Sequence, residues 1–153
     1  YFLQRFGAGD LFKLHYEPKY YGPYSGKVKY VLNAMNGSYI MGYSDMNKKP
    51  FESLTLVSDV IDEIAQFIES DAILNDIATK TKNFLHGFYS DFGLELLSSV
   101  DYIMCQYGRD ISVDNIYLHL SEWSSRKEKL FHDKKHIELA NKHLLESSIM
   151  YGI

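Results

Sequence analysis

The run YEPKYYGPYSGKVKYVLNAMNGSYIMGYS, Tyr16 to Ser44, carries four structural instructions in succession. A tyrosine-rich extended segment comes first, followed by the joint Gly22-Pro23, an amphipathic helix and a second tyrosine-rich extended segment. Proline in a first helical turn loses no hydrogen bond and already has a helical φ, so Gly22-Pro23 reads as the start of the helix. Tyr24, Val28, Val31, Leu32 and Met35 then recur at helical spacing opposite Lys27 and Lys29, as a core-facing stripe would, and Asn36-Gly37 ends it. Tyr39, Met41 and Tyr43 alternate with smaller or more polar neighbours, as Leu54 and Leu56 do with Ser53 and Thr55. That alternation predicts a β-hairpin whose long tip is the polar SDMNKKPFE, residues 44–52.

Upstream, Phe2, Leu3 and Phe6 share a helical face that Gly7 terminates, FGAGD is a turn, and Phe12, Leu14 and Tyr16 alternate with Lys13 and His15 as a short strand closed by Pro18. Downstream the pattern is helical to the end. Ser58 caps a helix that buries Val60, Ile61, Ile64, Phe67 and Ile68, and a second helix from about Asp71 buries Ile73, Leu74, Ile77, Phe84, Leu85 and Phe88. Ser90 caps a third with Leu94, Leu97, Val100, Ile103 and Met104 inside. Gly108 breaks it, Ser112 caps a fourth with Ile116, Tyr117, Leu120 and Trp123, and the last buries Ile137, Ala140, Leu144 and Ile149. The expected fold is mainly α with a small β-hairpin, a winged-helix-like helical module extended by C-terminal helices. There is no repeat or linker, and residues 1–153 read as a single domain.

A chain of 153 residues suits one core, and 46% hydrophobic with 24% charged residues is a globular composition. The anomaly is tyrosine, with 13 residues, a side chain whose flat body and polar tip suit a contact surface. Cys105 is the sole cysteine, which excludes an intrachain disulfide and fits a reducing, cytoplasmic setting; its apolar neighbours predict an inert core thiol. No membrane span or signal peptide is visible. The chain opens YFLQRF without an initiator Met and is read as an excerpt of a longer protein. Net charge is −4, unevenly spread: +3 over residues 1–57, −8 over 58–114 and +1 over 115–153. An acidic middle repels nucleic acid and attracts a basic partner.

Catalytic arrangements are lacking in the sequence. His132 and His136 share a helix face in HDKKH, but the glutamate base and third ligand of a zinc protease motif are missing, so neither metal nor cofactor is expected. Asp91 and Glu95 stand one turn apart near a helix start, where the helix dipole accounts for both. Arg126, Lys127 and Lys129 beside Trp123 are offset by Glu122, Glu128 and Asp133 and read as a mixed solvated face. No triad, nucleophile elbow or phosphate loop is present, and the chain is expected not to be an enzyme.

Several ordered blocks carry a resemblance: YFLQ at Tyr1–Gln4, YYGPYSGKVKYVLNAMNGSYIMGYSD at Tyr20–Asp45, FGLELLSSV at Phe92–Val100, and the spaced Trp123, Arg126, Lys127, Phe131, Ile137, Ala140 and Leu144. Together they resemble the C-terminal toxin-binding domain of DarG-type antitoxins, with a looser similarity to SocA-like (Panacea) antitoxin domains. The resemblance implies a longer bacterial protein whose macrodomain, absent here, removes ADP-ribose from DNA. It also implies a partner, the cognate DNA ADP-ribosyltransferase toxin DarT, bound by DNA mimicry as a monomer or one-to-one complex. The expected toxin contact combines Tyr20, Tyr21, Tyr24, Tyr39, Tyr43, Asp45 and Glu52. The alternative is a winged-helix DNA binder that autoregulates its operon through Lys48, Lys49 and Arg126 to Lys129. A third reading, a hydrolase using His132 or His136, lacks a substrate.

Overall fold

A computed structural model describes residues 1–43 and 53–152. Ser44, Asp45, Lys48, Lys49 and Glu52, with the rest of the expected hairpin tip, lie outside the described residues. The architecture is mainly α with small two-stranded antiparallel sheets, as the periodicities predict. Among the described residues no helix is long and apolar enough to cross a membrane. The chain divides into two compact units, a split unit of Tyr1–Tyr24 with Thr79–Ile153 and an inserted unit of Ser25–Ala78.

The split unit opens with a wide helical turn, Gln4–Ala8, interrupted at Gly7, whose φ of 119° ends the helical face where the sequence places its end. A single turn of helix, α1 (Gly9–Phe12), follows, and Lys13 closes it at φ 46°. The strand expected over Phe12–Tyr16 does not form. The Gln4 side-chain amide takes the place of a strand partner there, donating to Leu14 O (2.8 Å) and accepting from Leu14 N (3.0 Å). Extended pairing starts later, between β1 (Glu17–Lys19) and β2 (Gly22–Tyr24), joined by the two-residue turn Tyr20-Tyr21. Pro23 therefore lies in a strand opposite Pro18, and the helix expected at Gly22-Pro23 begins only at Lys27. Alternate pairs of an antiparallel ladder exchange no hydrogen bonds, so two opposed prolines fit there. Gly22 fixes this outcome. It is buried with φ 145°, and a Cβ on it would meet Ser98 Oγ at 3.3 Å, so this backbone cannot be the start of a helix.

The remaining helices of this unit are α5 (Asp91–Tyr107), α6 (Val113–Trp123), α7 (Ser125–Leu130) and α8 (Lys134–Tyr151). Each has an N-cap side chain that accepts from a first-turn N–H: Ser90 from Gly93, Ser112 from Asn115, Ser124 from Lys127 and Asp133 from Lys135. Gly108, at φ 104°, stops α5. Leu96, Leu97, Val100, Ile103 and Met104 of α5 meet Ile116 and Leu120 of α6, Phe131, and Ile137, Ala140 and Leu144 of α8 in a core from which water is excluded. Phe84 extends it, packing its ring on Phe2, Phe6 and His143 at 4.9–5.1 Å. Two further expectations fail in this unit. Ile149 stands in solvent, 89% exposed, past the last buried turn of α8. Cys105 is at the surface rather than in the core; desolvation and then the Asp101 charge push its pKa up, which disfavours the thiolate.

The inserted unit consists of α2 (Lys27–Met35), the hairpin β3 (Ile40–Met41) and β4 (Thr55–Leu56), a 3₁₀ turn at Ser58–Val60, α3 (Ile61–Ser70) and the start of α4 (Ala72–Leu85). The hairpin pairs Ile40 with Leu56 and Met41 with Thr55. Ser58 is not a cap: its hydroxyl donates to Asp59 Oδ1 and the 3₁₀ turn precedes α3. Asp71 does cap α4, accepting from Ile73 N and Leu74 N at 2.9 and 3.1 Å. No side chain of α2 or α3 is buried. Val28, Leu32, Met35, Ile64 and Ile68 are half-buried, while Val31, Ile61, Phe67 and Ile73, and Tyr24 ahead of α2, are exposed, against the expectation of a core-facing stripe. Helical periodicity marks which face is apolar; it does not show that anything covers that face.

Candidate functional site

A buried polar arrangement in the split unit is built on α5 and α7. Glu95 and Ser99 are one turn apart on the same face of α5. Lys127, whose side chain is wholly buried, donates from Nζ to Glu95 Oε1 at 3.0 Å and to Ser99 Oγ at 2.8 Å. Its ammonium also lies 4.8 Å from the Trp123 ring centre and 5.5 Å from that of Phe131. Burial lowers its pKa, and the Glu95 hydrogen bond and charge oppose that shift. Arg126 Nη1 donates to the same Glu95 oxygen, so one carboxylate serves two cations. These two residues are therefore not a solvated face, and Glu95 is not simply a dipole complement. The sequence gives little sign of this: Glu95 and Lys127 are 32 positions apart, and each has an ordinary charged context.

Arg126 reaches from this cluster to the β1–β2 turn. Its guanidinium carbon lies 5.3 Å from the Tyr20 ring centre and 4.9 Å from that of Tyr21, and the two rings meet edge to face at 4.8 Å. Trp123 Nε1 donates to Lys19 O at 3.0 Å, tying the strand that leads into the turn to the end of α6. Tyr20 remains 57% exposed and Tyr21 39%. With Ser125, Arg126, Lys129 and Leu130 of α7, Tyr20 lines a shallow groove. At about 100° per residue those four share one side of α7, and Glu128 falls on the other.

In the inserted unit the chemistry differs. Its sequence holds four Lys and eight Asp or Glu, and the split unit holds twelve Lys or Arg and twelve Asp or Glu, so the whole net charge of −4 resides in the inserted unit. Apolar side chains are exposed beside those acids. Met35, Tyr39, Ile64 and Phe67 line an apolar hollow with Glu63 among them, and Phe67 is 67% exposed. Asp59, Asp62 and Glu63 lie in the first turns at the start of α3.

The expected contact residues are thus distributed. Tyr20 and Tyr21 stand at the β1–β2 turn, with Tyr24 exposed at the far end of β2; Tyr39 is exposed in the inserted unit. Tyr43 is 5% exposed, and its backbone N–H donates to Asn36 Oδ1 at 3.1 Å. Asp45 and Glu52 lie outside the described residues. His132 and His136 have separate neighbours: His132 Nδ1 is 2.9 Å from Lys129 O, and the His136 ring meets Phe92 edge-on at 5.2 Å. Among the described residues no three His, Cys, Asp or Glu side chains are grouped as metal ligands.

No protein-family model matches the chain. A protein of Thermus aquaticus named DNA ADP-ribosyl glycohydrolase is 31% identical over 147 residues, 95% of this chain. Proteins of the same name from Mycobacterium bovis and Mycobacterium tuberculosis are 24% identical over 127 residues, 80% of the chain. The chain spans only 39% of the first relative's length and 36% of the others'. Over nearly its whole length, therefore, the chain is related to a segment of DNA ADP-ribosyl glycohydrolases, in support of the DarG-related family that its sequence blocks resemble.

Proposed function

We propose that this chain is a non-catalytic part of a DarG-type antitoxin and that it neutralises a DNA ADP-ribosyltransferase toxin by occupying the toxin's DNA-binding surface. The observation that carries this reading is the coincidence, in the inserted unit, of all the net negative charge with exposed aromatic and aliphatic side chains. A surface that binds single-stranded DNA offers cations to phosphates and flat apolar faces to bases. Asp59, Asp62 and Glu63 would stand in for phosphates, and Tyr39 and Phe67 for bases. Asp45 and Glu52, outside the described residues, would add charge. The partial span of the relatives supports assigning the glycohydrolase activity to a part of the protein not contained in this chain.

The test is a titration of the purified chain with its cognate toxin by size-exclusion chromatography and calorimetry. A one-to-one complex displaced by excess single-stranded DNA is expected. Folded chain that forms no complex at micromolar concentration contradicts the reading, and a complex indifferent to DNA contradicts the mimicry.

A further inference from the structure

We propose that the split unit carries a binding site for single-stranded nucleic acid, formed by the Tyr20-Tyr21 turn and the Arg126–Lys129 side of α7. This goes beyond toxin binding and does not rest on it. The net charge of −4, which disfavours nucleic acid, is that of the chain as a whole. Once folded, the chain confines its excess of acid to the inserted unit, and the split unit is neutral. Within it, Glu95 faces both Arg126 and Lys127, so the trio keeps one positive charge uncompensated. Lys127 is buried, which leaves that charge to be expressed through Arg126 at the groove. Lys129, exposed and three residues on along α7, adds a second; among the described residues no carboxylate lies within ion-pair distance of it.

Geometry narrows the ligand. The bond from Arg126 Nη1 to Glu95 fixes the guanidinium in place and leaves the other N–H donors of the fork for a phosphate. Ser125, on the same side of α7, offers a hydroxyl to the same groove. The Tyr20 ring, more than half exposed at a turn tip, provides a face on which a base can stack. A duplex hides its base faces within the helical stack, so an exposed ring beside two cations selects an unpaired strand. Tyr20 and Tyr21 thus adjoin cations, whereas a phosphate mimic requires carboxylates.

Fluorescence anisotropy of a labelled oligothymidylate of about 12 nucleotides, a length that matches small single-strand sites, tests the site. Wild type should bind at low salt and release as salt rises. Tyr20→Ala should weaken binding at least about fivefold, and Lys129→Gln should reduce the slope of log affinity against log salt by about one, with melting temperatures unchanged. The same sequence as duplex should compete at least about tenfold less well, the loss expected when its bases cannot stack. Absence of binding at low salt, full affinity in Tyr20→Ala with the variant folded, or equal competition by duplex would each overturn the proposal. A toxin complex can form or fail in any of these cases, so the two readings are decided separately.

Discussion

The split unit and the inserted unit are built from similar residues but dispose of them in opposite ways. On α5, α6 and α8 the apolar stripes close on one another, and a deeply placed ammonium, Lys127, has a carboxylate, a hydroxyl and two aromatic rings around it. On α2 and α3 stripes of comparable amphipathicity leave Val31, Ile61 and Phe67 in water beside a surplus of acids. Burial of apolar area is the main source of stability, at about 25 cal/mol per Å², so the split unit supplies most of the fold's stability. The inserted unit instead retains apolar area that a partner could bury. The lesson is that amphipathicity alone does not separate a core helix from a contact helix.

The most damaging change to the split unit should be Glu95→Ala, which leaves two cations without their carboxylate. A loss of about 3–5 kcal/mol is expected in chemical denaturation, as for other broken buried pairs. Gly22→Ala comes next, at about 1–3 kcal/mol, since it forces φ 145° on a residue with a Cβ and presses that Cβ on Ser98. Ser112→Ala removes the α6 cap and should cost about 1 kcal/mol. Phe67→Ala in the inserted unit should change stability by less than about 0.5 kcal/mol; a loss of several would mean that this face is a core after all and would erase the contrast.

A smaller effect depends on pH. Tyr1 Oη donates to Asp101 Oδ2 at 2.7 Å, and desolvation, then the Asp101 charge, raises the phenol's pKa above its ordinary 10. The folded chain therefore holds a proton that the unfolded chain gives up near pH 10, and the associated stability is complete below pH 10 and is lost as pH rises beyond it. Tyr1→Phe should flatten that alkaline fall in a series of melts, with Asp101 still held by Arg5 Nε at 2.9 Å.

Much of the helical framework was legible in the sequence because its signals are local. Ser90 and Ser112 precede apolar runs as caps, Gly108 breaks a helix, and Ile137, Ala140 and Leu144 recur at one-turn spacing. The hairpin of Ile40-Met41 with Thr55-Leu56 was legible from alternation. The errors arose where the deciding partner is distant or missing. Gly22-Pro23 has the local form of a helix start, but the position of Gly22 against Ser98 decides otherwise. Arg126 and Lys127 look solvated until α5 brings Glu95 to them. Phe67 looks buried because periodicity cannot report an uncovered face.

The central claim is that the inserted unit's exposed acidic and apolar surface is the toxin contact, and Phe67→Asp tests it most directly. Calorimetric titration of the cognate toxin into this variant should show affinity at least about tenfold weaker than wild type, as expected for an aromatic anchor, with an unchanged melting temperature. Wild-type affinity in Phe67→Asp, measured on folded protein, would contradict the account.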